Sequence, residues 1–384
     1  MHFELDNDQS ALQESLQRFF THEYDFERRR TFLALPYGTS DAVWRSLAEQ
    51  GALSVGVPEE HGGIGGPTEV MLVMEEIGRA LVLEPFMSTV VLCGSLLAQR
   101  GRPEQQADLF ARITSGDCKL ALAHTEEPAR YTLDFVQTTA RASGDSYLLN
   151  GAKITVLDGA VADRFLMTAR VQPGGHVLVF LVDPKAAGLE CTRYRTQDGR
   201  SAADLKLRDV KVSRVAILGD ESDALPAVVR AVEHAIAALC AEAVGAMEAL
   251  NHATLEYTKS RKQFGQPIAR FQALQHRMAD MFVFAAQARS ISLLATGRCT
   301  TPDDSLRRHD IAAAKAFIGK AARFVGQQAV QLHGGMGIAD ELAVSHHFKR
   351  LTMINATFGD VDHHVAAISE GIRGETVLAE GQSS

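Results

Sequence analysis

The chain has 384 residues, 46% of them apolar, enough to bury a large core in two or three domains. Its formal net charge of −8 gives no support to nucleic-acid binding as its main business. No run approaches the ~20 apolar residues of a membrane span. The acidic, amphipathic start is read as neither a signal nor a transit peptide. Cys93, Cys118, Cys191, Cys240 and Cys299 are odd in number and scattered, with no CxxC or Cys/His ligand spacing. Reduced thiols in a cytoplasmic protein without a metal site are therefore expected.

Residues 5–34 read as a helix with Leu12, Leu16, Phe19 and Phe20 on one face, and a second helix carries Trp44, Leu47 and Ala48 up to Gly51. The glycine-rich stretch 57–66 fits neither GxxxxGK[ST] nor GxGxxG within a strand–loop–helix unit, so it reads as a tight connection between helices. The next helix, from Glu69 to about Leu83, aligns Met71, Met74, Ile77 and Leu81. From about Leu120 the apolar period changes to two. Val136, Thr138 and Ala140 alternate, and Tyr147-Leu148-Leu149 precedes Asn150-Gly151, a pair favoured in type I′ hairpin turns. Strand-like runs follow at Phe165–Ala169, Val177–Val182, Leu205–Leu207 and Val215–Leu218, making a β region of roughly a hundred residues.

Helix returns near Pro226. Leu239, Ala243, Met247, Leu250, Ala253 and Tyr257 recur at steps of three and four until Pro267 forces a stop. A second stripe follows at Phe271, Leu274, Met278, Met281 and Ala285. Arg261, Gln263 and Phe264 are thus expected in the last turn of the first helix, beside a sharp corner. A forked cation, an amide and an aromatic there could grip an anionic ligand, or the arginine could simply suit a helix C-terminus; periodicity alone favours the second reading. After a polar break at Thr300–Asp304, a third long helix is expected from Ser305 to Leu332, ending at Gly334-Gly335 in a left-handed cap. A final helical region covers about Glu341 to Leu378, with Gly359 and Gly374 as interruptions and a disordered tail at 380–384.

Two segments carry a resemblance. The first is Tyr257-x-x-x-Arg261-Lys262-Gln263-Phe264-Gly265-Gln266-Pro267-Ile268-x-x-Phe271-Gln272-x-x-Gln275, continuing through Ala279-Asp280-Met281. The second is Gln331-Leu332-His333-Gly334-Gly335-Met336-Gly337-Ile338, with Lys349-Arg350 beyond it. Both are similar to signatures of the acyl-CoA dehydrogenase family of flavoproteins, and the likeness extends over nearly the whole chain. It implies an α+β fold with an N-terminal helical domain (1–119), a central β-barrel-like domain (120–224) and a C-terminal four-helix bundle (225–384). It also implies FAD between the β domain and the bundle, an acyl-CoA substrate and an electron-transfer acceptor protein. The expected assembly is a homodimer or homotetramer through the bundle, or a heterotetramer with a sister subunit. In the family reaction a carboxylate removes the proton beside the thioester carbonyl, and the next carbon gives hydride to flavin.

By this resemblance, Arg261, Gln263, Phe264 and Gln272 contact an FAD held mainly by another subunit, and Gln331, Gly334 and Gly335 reach its ADP portion, where glycine lets the main chain approach. The flavin platform departs from the family pattern. Thr125-Glu126-Glu127-Pro128 is followed by Ala129-Arg130-Tyr131 where Gly-Ser-Asp is usual, and Thr155-Val156-Leu157 stands where Trp-Ile-Thr is usual. Thr125, Thr155 and Leu157 are the platform positions that remain, and Trp44 lies in the wrong domain to replace the ring. The usual base, a glutamate after an aromatic, falls at Gly359 after Phe358. Asp360, next along, is the candidate base, with helix capping as its other reading. Glu233 and His234, beside the alternative base position Ala235, and Glu242 are weaker candidates. Asp362, His363 and His364 read as a solvated helix start rather than metal ligands. Two rivals follow from these departures: a non-catalytic partner subunit, and a flavin oxidase or monooxygenase on the same scaffold.

Overall fold

A computed structural model describes the backbone of residues 5–381 and the side chains of residues 5–371. Of the tail expected at 380–384, residues 382–384 lie outside the described residues. The chain forms two compact units, one from Met1–Glu27, Met71–Val82 and Ile236–Ser384, the other from Arg28–Val70 and Leu83–Ala235.

The N-terminal third is helical: α1 (Asn7–Glu23), α2 (Phe26–Leu33), α3 (Asp41–Glu49), α4 (Pro67–Ala80), a π-helical stretch at Met87–Cys93, α5 (Gly94–Arg100) and α6 (Pro103–Thr114). The single helix expected over 5–34 is broken at Tyr24, whose φ of −140° leaves the helical region, after an Asp6/Gln9 capping box has started α1. The glycine-rich stretch is the connection it was read to be, tied down by a bridge between Val55 and Ile64.

In the second unit, β1 (Leu120–Ala123), β2 (Thr139–Ser143), β3 (Ser146–Leu157), β4 (Arg164–Val171), β5 (Val177–Val182), β6 (Leu189–Arg195) and β7 (Ser201–Ser213) form one sheet. The order is β1-β4-β2-β3-β7-β6, with β5 also on β4. β4 pairs parallel with β1 and β2 and antiparallel with β5. Leu149, Phe165, Met167, Phe180 and Leu205 fill its core. The hairpin turn is not at Asn150-Gly151. It falls between Ser143 and Ser146, while Asn150-Gly151 lies inside β3 at a register shift. Gly151 is needed there for another reason: its φ is +151° and a Cβ would come within 2.6 Å of Thr138. The run at 215–218 contributes one bridge, Phe180 to Ile217, rather than a strand.

The C-terminal helices are α7 (Leu225–Ser260), α8 (Gln272–Arg298), α9 (Asp304–His333), α10 (Ala343–Ala356) and α11 (Val361–Gly381). α9 packs against α8, α10 and α11. Gly359 interrupts the last helical region as expected, but Gly374 lies within α11 and does not. In the first unit, α4 and α7 meet backbone to backbone. A Cβ on Gly78 would lie 1.9 Å from the Glu242 carbonyl, and one on Gly245 1.8 Å from that of Glu75. Among the described residues α8 is the one helix long and apolar enough, by length and composition, to cross a membrane. It is exposed at Phe282 and Val283, and its Arg289 is paired with Glu75 and Glu248.

Candidate active site

The sheet places Thr125 and Thr155 side by side. β1 ends at Ala123, and the Thr125 carbonyl accepts a hydrogen bond from the Ile154 N–H at 2.9 Å. A register shift between Lys153 and Val156 turns Thr155 outward with φ +48°. That strained backbone is held by Asp204, whose Oδ1 accepts from the Thr155 N–H at 2.8 Å and from the Tyr194 hydroxyl at 2.8 Å. Leu157 is half-buried two residues on.

Beneath this edge lies an ion pair that the sequence reading missed. Lys153, fully buried, donates from Nζ to Glu126 Oε1 at 2.8 Å, to Thr168 Oγ1 at 3.0 Å and to the His124 carbonyl at 3.2 Å. Glu126 also accepts from the N–H groups of Gln137 and Thr138. Burial alone would push Glu126 up, but the Lys153 charge and these donors hold it below the usual carboxylate range. Burial pushes Lys153 down to about 8, against the pull of Glu126. His124, packed over the same lysine and bonded from Nδ1 to Thr168 Oγ1, is pushed down to about 4 by burial and the Lys153 charge. One ammonium, that of Lys153, thus fixes the residues on either side of Thr125 to β3. Lys153 stands at an inward position of β3 directly before its second register shift, a place that nothing in the sequence marks.

In the first unit the two matched motifs come together. Tyr257 stacks on His333 with ring centroids 4.3 Å apart, and its hydroxyl donates to the His333 carbonyl at 3.4 Å. His333 is buried and bonded from Nδ1 to the Ala329 carbonyl, and burial lowers its pKa. α7 ends at Ser260, so Arg261, Gln263 and Phe264 are not in its last turn. Lys262–Gln263 and Gln266–Pro267 form a two-residue hairpin, with Phe264 and Gly265 at φ +52° and +77°. Two consecutive positive φ values are what a type I′ turn requires, and glycine takes one of them. The turn presents Arg261 and Gln263 on the surface and leaves Phe264 89% exposed. Gln272, at the start of α8, and Gln331, Gly334 and Gly335, where α9 gives way at Gly334 (φ +60°), are also exposed. Nothing lies within 4 Å of a Cβ built on Gly265, Gly334 or Gly335. An arginine fork, three amides and open main chain are chemistry that suits a diphosphate and its sugar.

Asp360 sits at the head of α11. Its Oδ1 accepts from the His363 N–H at 3.0 Å, so the carboxylate caps the helix. The two residues before it turn sharply, Phe358 in a strained φ of +56° and Gly359 at a φ of +111° that glycine permits. The usual base position is closed, because a Cβ on Gly359 would lie 2.5 Å from both His363 Cδ2 and His364 Nε2. His364 is not solvated as expected. It is buried, donates from Nε2 to the Phe358 carbonyl at 3.1 Å, and is pushed down to about 4 by burial and then by the Lys315 charge. Glu242 is committed elsewhere, to a buried two-pronged pair with Arg350. In the second unit His234 faces Ser95, with Nδ1 3.0 Å from Oγ. Among the described residues no cluster of three or more His, Cys, Asp or Glu side chains could hold a metal.

Models of the acyl-CoA dehydrogenase N-terminal, middle and C-terminal domains match residues 6–117, 121–212 and 225–372. The chain is 30% identical over 360 residues to a protein described as probable acyl-CoA dehydrogenase YngJ of Bacillus subtilis, covering 90% of this chain and 92% of that one. It superposes on a chain of the ChsE4–ChsE5 complex of Mycobacterium tuberculosis with a TM-score of 0.87 at 26% identity, covering 97% and 99% of the two chains. A glycine-to-alanine variant of the Tcur3481–Tcur3483 steroid ACAD gives 0.85 at 28% identity, covering 98% and 99%. The chain belongs to the acyl-CoA dehydrogenase family. It is an FAD-dependent oxidoreductase of the class that introduces a double bond beside an acyl-CoA thioester.

Proposed function

We propose that Asp360 is the base that removes the α-proton of the acyl-CoA, with regions 1–119, 120–224 and 225–384 as the working domains. The observation that carries this is the carboxylate of Asp360 at the end of a strained turn, one residue beyond a position where no side chain fits. Its Oδ1 caps α11 and so fixes the direction of the carboxylate. Arg261, Gln263, Phe264, Gln272, Gln331, Gly334 and Gly335 would hold the ADP portion of FAD, and Thr125, Thr155 and Leu157 would border its ring. FAD supplies the hydride acceptor when bound. The Thr155 main-chain N–H is already used by Asp204 and the Leu157 side chain carries no donor, so neither would supply a hydrogen bond to the ring.

The exposed Phe282 and Val283 on α8 support assembly through that helix, as a homodimer or homotetramer or with a sister subunit. An electron-transfer protein is the acceptor this reading requires. The closed Gly359 position favours one second reading: a partner subunit that lends Arg261 and the Gln331 segment to FAD on a sister chain. A visible spectrum and solution mass of the chain purified alone separate the two, since a stoichiometric flavin on a homo-oligomer removes the second. Asp360→Asn in the flavin-loaded protein tests the base. Turnover should vanish while flavin stays bound, and unchanged turnover would sink the assignment.

A further inference from the structure

Lys315 lies on α9 within Ala312-Ala313-Ala314-Lys315-Ala316 and is 1% exposed. Its Nζ donates to the carbonyl of Gly359 at 2.7 Å and to that of Asn355 at 3.0 Å. These are the last turn of α10 and the residue immediately before Asp360. Burial pushes the ammonium down to about 8, with Cys240 and Asp360 pulling it back, so it remains a cation at neutral pH. The positive φ at Phe358 costs about 1–3 kcal/mol and persists only where the surroundings over-determine it, while Gly359 takes its own positive φ freely. Here both carbonyls of this turn are taken, Phe358 by His364 and Gly359 by Lys315. Swinging the Gly359 peptide out of this geometry would strand a buried charge, and it would also move Asp360.

We infer that Lys315 is a positioning residue for the reaction: its ammonium clamps the 358–360 turn and thereby aims the Asp360 carboxylate at the substrate. This rests on Asp360 being the base. The lysine touches main chain only, so it acts through Asp360 and not on the acyl-CoA.

The test uses the flavin-loaded protein with octanoyl-CoA and a steroid side-chain acyl-CoA as probes. The variants are Lys315→Met, Lys315→Arg, Asp360→Asn and the Lys315→Met/Asp360→Asn double. Three quantities are read: kcat and KM, exchange of the thioester α-proton with deuterium, and amide exchange in the 355–364 segment. Lys315→Met should slow turnover and α-proton exchange together by about tenfold to a hundredfold, as a misaimed group does, with KM and flavin content held. Amide exchange should rise in 355–364, and Lys315→Arg should recover most of the loss. The double variant should be no slower than Asp360→Asn alone. An active Asp360→Asn overturns the base assignment. An inactive Asp360→Asn beside a Lys315→Met protein with normal rates and normal amide exchange overturns the clamp alone. Losses that multiply in the double variant overturn it too, because they would show Lys315 acting independently of Asp360.

Discussion

Arg350 grips Glu242 from two sides, Nε to Oε1 at 2.7 Å and a terminal nitrogen to Oε2 at 2.6 Å, with both side chains buried. This pair removes Glu242 from consideration as a base, since its carboxylate is neutralised and enclosed. It also makes Arg350 structural in a way its place beside Lys349 on α10 does not suggest. Arg350→Leu leaves an uncompensated buried carboxylate and should destabilise the protein by about 3–5 kcal/mol, read from urea unfolding. Glu242→Gln/Arg350→Leu together should cost less than Arg350→Leu alone.

Restoring the family's glutamate should not restore a family-like base. Gly359→Ala should cost about 1–3 kcal/mol, because the new Cβ meets both His363 and His364 in a turn that already has positive φ. Gly359→Glu should be at least as unstable and no faster. A gain in turnover for Gly359→Glu would show that the turn rearranges freely.

Acid should destabilise the protein through two histidines. His124 and His364 both fall from 6.5 to about 4 in the folded chain, through burial first. The unfolded chain takes up these protons and the native chain refuses them. Each group therefore contributes up to about 3 kcal/mol that is present above pH 6.5 and is lost as pH falls toward 4. His364→Gln should flatten the pH dependence of unfolding in that window. An unaltered slope would mean that His364 titrates normally.

Glu75 has the opposite sign. Burial pushes it up from 4.5 to about 7, although Arg289 holds both of its oxygens. Its contribution is present below pH 4.5 and is lost as pH rises through 7. Glu75→Gln should therefore gain on the parent protein between pH 5 and 8, by on the order of 2–3 kcal/mol in unfolding free energy. No relative gain would mean that the Arg289 pair keeps Glu75 ionised throughout.

Arg261→Ala should weaken flavin retention by ~1.5–3 kcal/mol, the scale of a charge-assisted contact. Flavin content after dialysis measures it, and equal content in both proteins would remove Arg261 from the grip.

Much of this molecule was legible in its residues. The stripes through Leu239, Met247 and Leu250 and the alternation around β4 and β5 gave the helices and strands, because a period of 3.6 or 2 survives in any sequence that buries one face. The two motifs were legible as well, though not their local shape. The hairpin at Phe264-Gly265 was missed because a two-residue strand has no period, and Asn150-Gly151 misled because a glycine suited to a turn is equally suited to a register shift. Lys153 and Lys315 could not be read at all as site residues. Each is one buried cation among apolar neighbours, and its partners lie far away in sequence: Glu126 for the first, the carbonyls of Asn355 and Gly359 for the second.

The meeting of Gly78 and Gly245 also sets an order of synthesis. α4 carries Met71, Met74 and Ile77 into the unit that holds α1 and the chain from Ile236 onward, and the whole of 83–235 is made in between. At ribosomal rates that is roughly ten to thirty seconds. For that interval these side chains have no α7 to close against. The first unit, begun earliest, is completed last, and a nascent chain halted before Gly245 lacks the helix whose backbone closes against α4.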